Sequence, residues 1–146
     1  MDRAKKALNL FNSGYNCAQA VAGVFSKETG IDKENLFKLT CGFGGGCSRT
    51  GQICGALSGA ITIIGLKNGN SKSDDKASKE ITYSLVQKLT NEFKEKHNSV
   101  LCPILIGFDL GTEEGLKAAL ENEVHTKICG NLVTETVKMV EEIIKK

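Results

Sequence analysis

The chain has 146 residues and a formal net charge of +2, with 40% hydrophobic and 25% charged residues. This length predicts a single domain, residues 1–146, that can bury a core without cross-links. The nearly balanced charge excludes the electrostatic signature of a nucleic-acid-binding protein. The polar amino terminus lacks the apolar segment of a signal peptide, so we expect a cytoplasmic protein.

Apolar residues recur at helical spacing along almost the whole chain, and strand signals are weak. We therefore predict an all-α bundle of five to seven helices. In chain order the predicted helices cover residues 2–12, 17–29, 33–41 and 51–66, a long segment that ends near residue 98, residues 113–120, and a final helix after Cys129 and Gly130. Residues 71–79 are expected to be a polar loop, and residues 104–107 a short turn or helix. We expect Asn16, Asp32 and Thr112 to be N-caps and Gly30 to end the second helix.

The segment 51–66 is apolar on nearly every side, which is typical of a helix buried at the centre of a protein. It is shorter than the roughly 18 apolar residues that cross a bilayer, so we expect no membrane span. Gly51, Gly55 and Gly59 recur every four residues and would form a face without side chains. Because Gly inside a helix costs about 1 kcal/mol relative to Ala, we expect another backbone or a bound group to approach this face.

Six cysteines are spread along the chain without CxxC or CxxCH spacing, so a redox or metal site would have to be assembled by folding. Cys17, Cys54 and Cys129 lie at or just before predicted helix starts. Cys102 does so as well if a helix follows Pro103. The positive end of the helix dipole favours a thiolate, the form that attacks disulfides and binds metals. The alternative is that each cysteine is a small buried hydrophobe.

Four segments of the sequence match the pattern of a known family. They are GYNCAQAV at 14–21, CGFGGG at 41–46, CGALSG at 54–59 and GLKNG at 65–69. In these segments the chain resembles the C_GCAxxG_C_C family of redox-active proteins, which have a few cysteines and a CGAxxG motif. The resemblance covers nearly the whole chain and implies a redox-active protein, although the family's reaction is not established.

The resemblance also implies which cysteines belong to the site. The shared set has four members: Cys17, Cys54, Cys102 and Cys129. Cys41 and Cys47 are additions in this chain, and whether they join the site is left open. A similar domain in some cytochromes is associated with an iron–sulfur centre, so the resemblance permits such a cofactor without requiring it.

The first function that fits these residues is a metal site for electron transfer. Four thiolates suffice for an iron–sulfur cluster or for another metal. The expected ligands are the shared set: Cys17, Cys54, Cys102 and Cys129. Gly51, Gly55 and Gly59 would provide space and backbone N–H groups for the cofactor.

The second function is a dithiol–disulfide cycle. Its candidate catalytic residues are Cys54 and Cys17. Cys54 is the expected nucleophile, and Arg49 is a nearby cation that would lower its pKa. The third function, of a different class, is a non-redox helical binding or accessory module with structural cysteines. The redox partner, and whether the chain forms a homodimer, are left open by the sequence.

Overall fold

The computed structural model describes residues 2–145, in which the regular structure is helical. Its α-helices are α1 (Arg3–Asn12), α2 (Cys17–Gly23), α3 (Ser26–Thr29), α4 (Lys33–Thr40), α5 (Gly44–Cys47), α6 (Gly55–Asn68), α7 (Lys76–His97), α8 (Cys102–Ile106), α9 (Glu113–Glu121) and α10 (Gly130–Ile144). A 3₁₀ turn at Cys41–Phe43 precedes α5, and a π-helical turn at His125–Cys129 precedes α10. The predicted all-α fold is confirmed. Within residues 2–145, the α-helices of seven or more residues are α1, α2, α4, α6, α7, α9 and α10.

Helix α6 lies at the centre of the bundle, and α2, α7 and α10 pack against it. Its side chains Leu57, Ile63 and Ile64 are fully buried. A Cβ atom at Gly59 would lie 2.6 Å from the carbonyl oxygen of Ala18 in α2, so Gly59 allows the two backbones to approach closely. Among the helices in residues 2–145, none combines the length and apolar character needed to span a lipid bilayer.

Helix α6 begins later than the sequence predicts, at Gly55 rather than at Gly51. The cause is a long-range contact, because Ile53 forms an antiparallel bridge with Leu101 just before the helix. Gly51 has a φ of +76° and lies in the turn that precedes this bridge. Gly51 therefore does not share a helix face with Gly55 and Gly59, and the expected stripe of three glycines is wrong.

The predicted helix at 17–29 is two helices in the structure, because α2 ends at Gly23. A Cβ atom at Gly23 would lie 2.5 Å from the ring of Phe37, so α2 and α4 meet closely at this point. The chain then passes the fully buried Phe25 and continues as α3. Gly30 ends α3 in the left-handed conformation, as predicted.

Two later helices also start earlier than predicted. Asp75 caps α7, which begins at Lys76, inside the segment expected to be a polar loop. The final helix does not begin after Gly130, because the chain is already helical at Val124 and continues through the π-helical turn into α10. Cys129 therefore lies within a helical segment rather than at its start.

The predicted N-caps are confirmed. The side chains of Asn16, Asp32 and Thr112 accept hydrogen bonds from backbone N–H groups in the first turns of α2, α4 and α9. These bonds satisfy N–H groups that a helix start leaves without a partner. At Asn16 the capping is reciprocal, because the Gln19 side chain accepts a hydrogen bond from the Asn16 backbone.

Candidate functional site

A cavity of about 550 Å³, which we call the cysteine pocket, lies at the starts of α2, α6 and α8 and beside α9 and the π-helical turn. It is lined by all four cysteines of the predicted set: Cys17, Cys54, Cys102 and Cys129. Cys41 also lines the pocket, whereas Cys47 is exposed and is not among the described residues that line it. Folding thus gathers into one cavity four cysteines that are far apart in sequence.

Cys54 and Cys102 are brought together by the short antiparallel bridge between Ile53 and Leu101. The backbone N–H of Cys54 donates to the Val100 carbonyl at 2.8 Å. The N–H of Cys102 donates to the carbonyl of the residue before Ile53 at 2.9 Å. Each cysteine comes directly after its bridge residue, at the N-cap of α6 or the first position of α8. The bridge therefore fixes the two helix starts side by side.

Cys17 is held at the first position of α2 by the Asn16 cap. The Asn16 side-chain amide also donates to the Cys41 carbonyl at 2.9 Å, which ties this helix start to the end of α4. A Cβ atom at Gly55 would lie 2.4 Å from Cys17 Sγ. The Cys17 sulfur therefore lies directly against the first residue of α6, the residue that follows Cys54.

A left-handed turn, residues 45–49, forms the next part of the wall. Its five consecutive residues have φ values of 67°, 75°, 62°, 59° and 68°. The N–H groups of Ser48 and Arg49 donate to the Gly44 and Gly45 carbonyls at 2.8 and 3.0 Å, which is helical pairing with left-handed φ. Only two residues of the turn are glycine, and a left-handed helical conformation costs other residues about 1–2 kcal/mol each. This strain lies at the edge of the cysteine pocket.

The glycine-rich segment that contains this turn makes close contacts on both sides. A Cβ atom at Gly44 would lie 2.4 Å from the Asn16 side chain, and one at Gly46 would lie 2.6 Å from Cys102 Cβ. The N–H of Gly45 donates a hydrogen bond to the Cys17 sulfur. The segment therefore lets bare backbone reach the sulfur atoms, and it supplies one donor to Cys17.

The sulfurs of Cys17 and Cys54 are hydrogen-bonded to each other. The bond from the Cys54 thiol lowers the pKa of Cys17 to about 6, and it outweighs burial, which raises this pKa. Backbone N–H groups of Gly45 and Ala18 lower the Cys17 pKa further. The pKa of Cys54 is raised well above 9.0 by the same bond and by burial. At neutral pH the pair therefore shares one proton and one negative charge, and the directions of the two pKa shifts favour Cys17 as the thiolate.

Arg49 lines the pocket, but the pKa of Cys54 shifts upward, which is opposite to the direction predicted from this cation. From the sequence, the helix start and Arg49 were expected to lower the pKa of Cys54. The sequence gave no means to find the partner that raises this pKa instead. That partner is Cys17, which precedes Cys54 by 37 residues in the sequence.

The two remaining cysteines of the predicted set are protonated thiols at neutral pH. Burial, with the negative charge of Cys17, raises the pKa of Cys102 to about 11. Burial, then Cys17 and Cys102, raises the pKa of Cys129 to about 12. Cys129 reaches the pocket from the π-helical turn, an irregularity that often occurs at functional sites.

Across residues 2–145, no three side chains among His, Cys, Asp and Glu are grouped so that they could hold one metal ion. The four expected ligands line one cavity but do not form such a group. Of the three glycines expected at a cofactor, Gly55 lines the pocket, whereas Gly51 and Gly59 are outside the lining found for the described residues.

One histidine of the pocket was not expected from the sequence. His125 lines the cavity and stacks on Phe11, with ring centroids 3.8 Å apart and planes 7° from parallel. Its position four residues before Cys129 is the signal that could have been used, because residues at this spacing share a helix face. The other histidine, His97, lies 3.0 Å from the Glu135 carboxylate and is not part of the described pocket lining.

A family model with the description "Putative redox-active protein (C_GCAxxG_C_C)" matches residues 15–143. The chain belongs to this family. Searches of curated proteins and of solved structures find no match. The match covers all of the pocket cysteines, so the redox-active family expected from the sequence is confirmed. In this C_GCAxxG_C_C protein the CGALSG segment has a physical basis: Gly55 leaves room for the Cys17 sulfur and Gly59 for the α2 backbone.

Proposed function

We propose that this C_GCAxxG_C_C protein is a thiol–disulfide redox protein in which Cys17 and Cys54 cycle between dithiol and disulfide. The observation that supports this most directly is the close approach of the two helix starts, where Cys17 Sγ lies against Gly55, the residue after Cys54, and the Cys17 and Cys54 side chains are in hydrogen-bonding contact. Two sulfurs in such contact need little movement to form a covalent bond. We assign the attacking role to Cys17, which exchanges the roles expected from the sequence.

In the first step the Cys17 thiolate attacks one sulfur of a substrate disulfide, R–S–S–R′. A bond forms between Cys17 Sγ and the sulfur of R, and the substrate S–S bond breaks. The leaving R′S⁻ takes a proton from solvent and departs as a thiol. The protein is then a mixed disulfide at Cys17.

In the second step Cys54 resolves the mixed disulfide. Its thiol loses a proton, its sulfur attacks Cys17 Sγ, and the bond between Cys17 and the substrate breaks. The leaving RS⁻ takes up one proton. The substrate disulfide has been reduced to two thiols, and the protein has been oxidised to the Cys17–Cys54 disulfide.

The contact between the two sulfurs explains the order of these steps. The hydrogen bond with Cys17 is the largest cause of the raised Cys54 pKa, and the Cys17 charge raises it further. Both contributions disappear once Cys17 is bonded to the substrate, because its sulfur is no longer an anion. Cys54 therefore becomes easier to deprotonate at the stage when it must attack.

The cycle requires a dithiol reductant, of the kind maintained in the cytoplasm, to return the protein to its starting state. The iron–sulfur alternative has less support, since the donors in the described residues are not grouped to hold a metal ion. We assign no step to a metal centre. The non-redox module also has less support, because packing alone does not require the backbone donors that surround the Cys17 sulfur.

The test is to treat the reduced full chain with oxidised dithiothreitol without air, alkylate the remaining thiols, and identify disulfide-linked tryptic peptides. Cleavage after Lys and Arg places the four cysteines of the predicted set on separate peptides: 7–27, 50–67, 97–117 and 128–138. We expect a link between peptides 7–27 and 50–67. Cys17→Ser and Cys54→Ser should each abolish it, while Cys102→Ser should retain it. Absence of the link in the unmodified chain would contradict the proposal.

A further inference from the structure

Access to the reactive pair is limited to molecules that enter the cysteine pocket. Cys54 is only 5% exposed, and the Cys17 sulfur is enclosed by Gly55 and by the left-handed turn. The cavity of about 550 Å³ falls within the size range of small-molecule sites. A disulfide within a folded protein would have to bring its own backbone into this space, so the geometry favours a small substrate.

Apolar side chains form much of the remaining lining. They come from α8, from the loop after it and from α9: Leu105, Ile106, Leu110, Leu116, Ala119 and Leu120. Leu120 is 70% exposed and yet lines the cavity, so the mouth of the pocket has an apolar edge. Helix α9 makes few close contacts with other helices, and its apolar residues are directed to the cavity instead.

Charge in the lining gives no preference for a charged ligand. Among the described lining residues, the Glu123 carboxylate lies 3.5 Å from Lys127, and the positive charge of Arg49 is accompanied by the negative charge of the Cys17 thiolate. His125 has its ring face covered by Phe11. A charged disulfide would lose hydration in this pocket without gaining a group of matching charges.

We propose that the cysteine pocket binds small, uncharged, apolar organosulfur molecules, and that the disulfide reduced by Cys17 and Cys54 is of this class. This inference rests on the proposed function for its chemistry, and on the size, lining and charge of the pocket for its specificity. The atoms balance as in the two steps above: one apolar disulfide becomes two thiols, while the Cys17 thiolate and the Cys54 thiol become one disulfide and one proton comes from solvent.

The binding test uses a sulfide that cannot be reduced, so that binding is measured apart from the redox reaction. Benzyl methyl sulfide is compared with thiodiglycolate, a doubly charged sulfide, for protection of Cys17 against iodoacetamide in the reduced full chain. We expect the apolar sulfide to slow alkylation of peptide 7–27 by about fivefold or more near saturation. Thiodiglycolate should have no effect. Equal protection by both sulfides, or no protection by benzyl methyl sulfide, would overturn the inference.

A matched pair of variants locates the binding site. Leu120 and Leu39 are both exposed leucines on helices, but only Leu120 is in the lining of the cysteine pocket described here. Leu120→Glu places a charge at the apolar edge of the pocket. The concentration of benzyl methyl sulfide that gives half-maximal protection should therefore rise by about tenfold. Leu39→Glu should leave protection unchanged. The opposite ranking would place the binding elsewhere.

The redox test compares oxidation of the Cys17–Cys54 pair by dipropyl disulfide, by oxidised glutathione and by a folded protein that carries an exposed disulfide. We expect dipropyl disulfide to be fastest by about tenfold or more. If the protein disulfide is fastest, the substrate class is wrong and the dithiol function stands. If no disulfide oxidises the pair but benzyl methyl sulfide still protects Cys17, the dithiol function fails and the binding site stands.

Discussion

Gly55 provides the space that the Cys17 sulfur occupies, because a Cβ atom at this position would lie 2.4 Å from Cys17 Sγ. The absence of one methyl group thus determines how closely α2 and α6 can place their cysteines. The contact lies next to the N-cap of α6, where Cys54 gives its hydrogen bond to Cys17. Three consequences of this arrangement, and one of the strained turn beside it, can be measured.

Substitution Gly55→Ala should displace the Cys17 sulfur and weaken its bond with Cys54. We expect a loss of about 1–3 kcal/mol in the free energy of unfolding, as for other overpacked sites. The pKa of Cys17 should rise, because its strongest stabilising partner is moved away. Urea unfolding and the pH dependence of Cys17 alkylation measure the two effects.

The control is Gly65→Ala in the same helix, where a Cβ atom would meet nothing within 4 Å. Since Ala is the better helix former, this variant should gain up to about 1 kcal/mol. The titration of Cys17 should be unchanged. If Gly55→Ala titrates like the unmodified protein, Gly55 does not position the sulfur.

Substitution Cys54→Ala should raise the pKa of Cys17 from about 6 toward the ordinary value of 9.0, because the bond from Cys54 is the main cause of the lowered pKa. At pH 7 Cys17 would change from mostly thiolate to mostly thiol, and its alkylation would slow. Ultraviolet absorbance of the thiolate against pH measures this shift. Cys102→Ala is the control, because Cys102 is a neutral thiol that is not among the groups lowering the Cys17 pKa. Equal shifts in both variants would contradict the hydrogen-bonded pair.

Features encoded by neighbouring residues were predictable from the sequence. The caps at Asn16, Asp32 and Thr112 and the termination at Gly30 follow from local chemistry, and the structure has them. The convergence of the cysteines was expected from their positions near helix starts, although Cys129 reaches the pocket from a π-helical turn.

Features that depend on distant contacts were not predictable. The late start of α6 follows from the bridge between Ile53 and Leu101, which are far apart in sequence. The left-handed turn includes Cys47, Ser48 and Arg49, and none of these residue types signals a positive φ. The contact between the Cys17 and Cys54 sulfurs depends on this turn and this bridge. The sequence alone therefore could not reveal which of the two sulfurs donates and which one accepts.

The strain in the left-handed turn predicts a substitution that stabilises the protein, whereas most substitutions destabilise it. Cys47 has a φ of +62° and is exposed, so Cys47→Gly should remove strain and raise stability by about 1 kcal/mol. Cys17 alkylation should not change, since Cys47 is outside the described pocket lining. Gly46→Ala should instead lower stability, because its Cβ would lie 2.6 Å from Cys102 Cβ. Thermal unfolding compares the two, and a loss of stability in Cys47→Gly would mean that the turn is not strained there.

The pH dependence of stability follows from the same pair of cysteines. The pKa of Cys17 is about 6 in the folded state and is expected near 9.0 in the unfolded chain. Between these values only the folded state carries the thiolate, so unfolding takes up a proton and stability increases with pH. The slope from this residue is at most about 1.4 kcal/mol per pH unit. This contribution is complete above pH 9.0 and is lost as the pH falls to about 6.

Above pH 9.0 the sign reverses, because Cys102 and Cys129 have pKa values raised to about 11 and 12. They remain protonated in the folded state after they ionise in the unfolded chain, so stability falls as the pH rises. Urea titrations from pH 6 to 9 on the unmodified protein and on Cys17→Ser isolate the rising part, since burial keeps Cys54, Cys102 and Cys129 protonated in the folded state over this range. The difference in unfolding free energy should grow steadily across this range. A constant difference would mean that Cys17 is not a thiolate in the folded protein, and the attacking role would then return to Cys54.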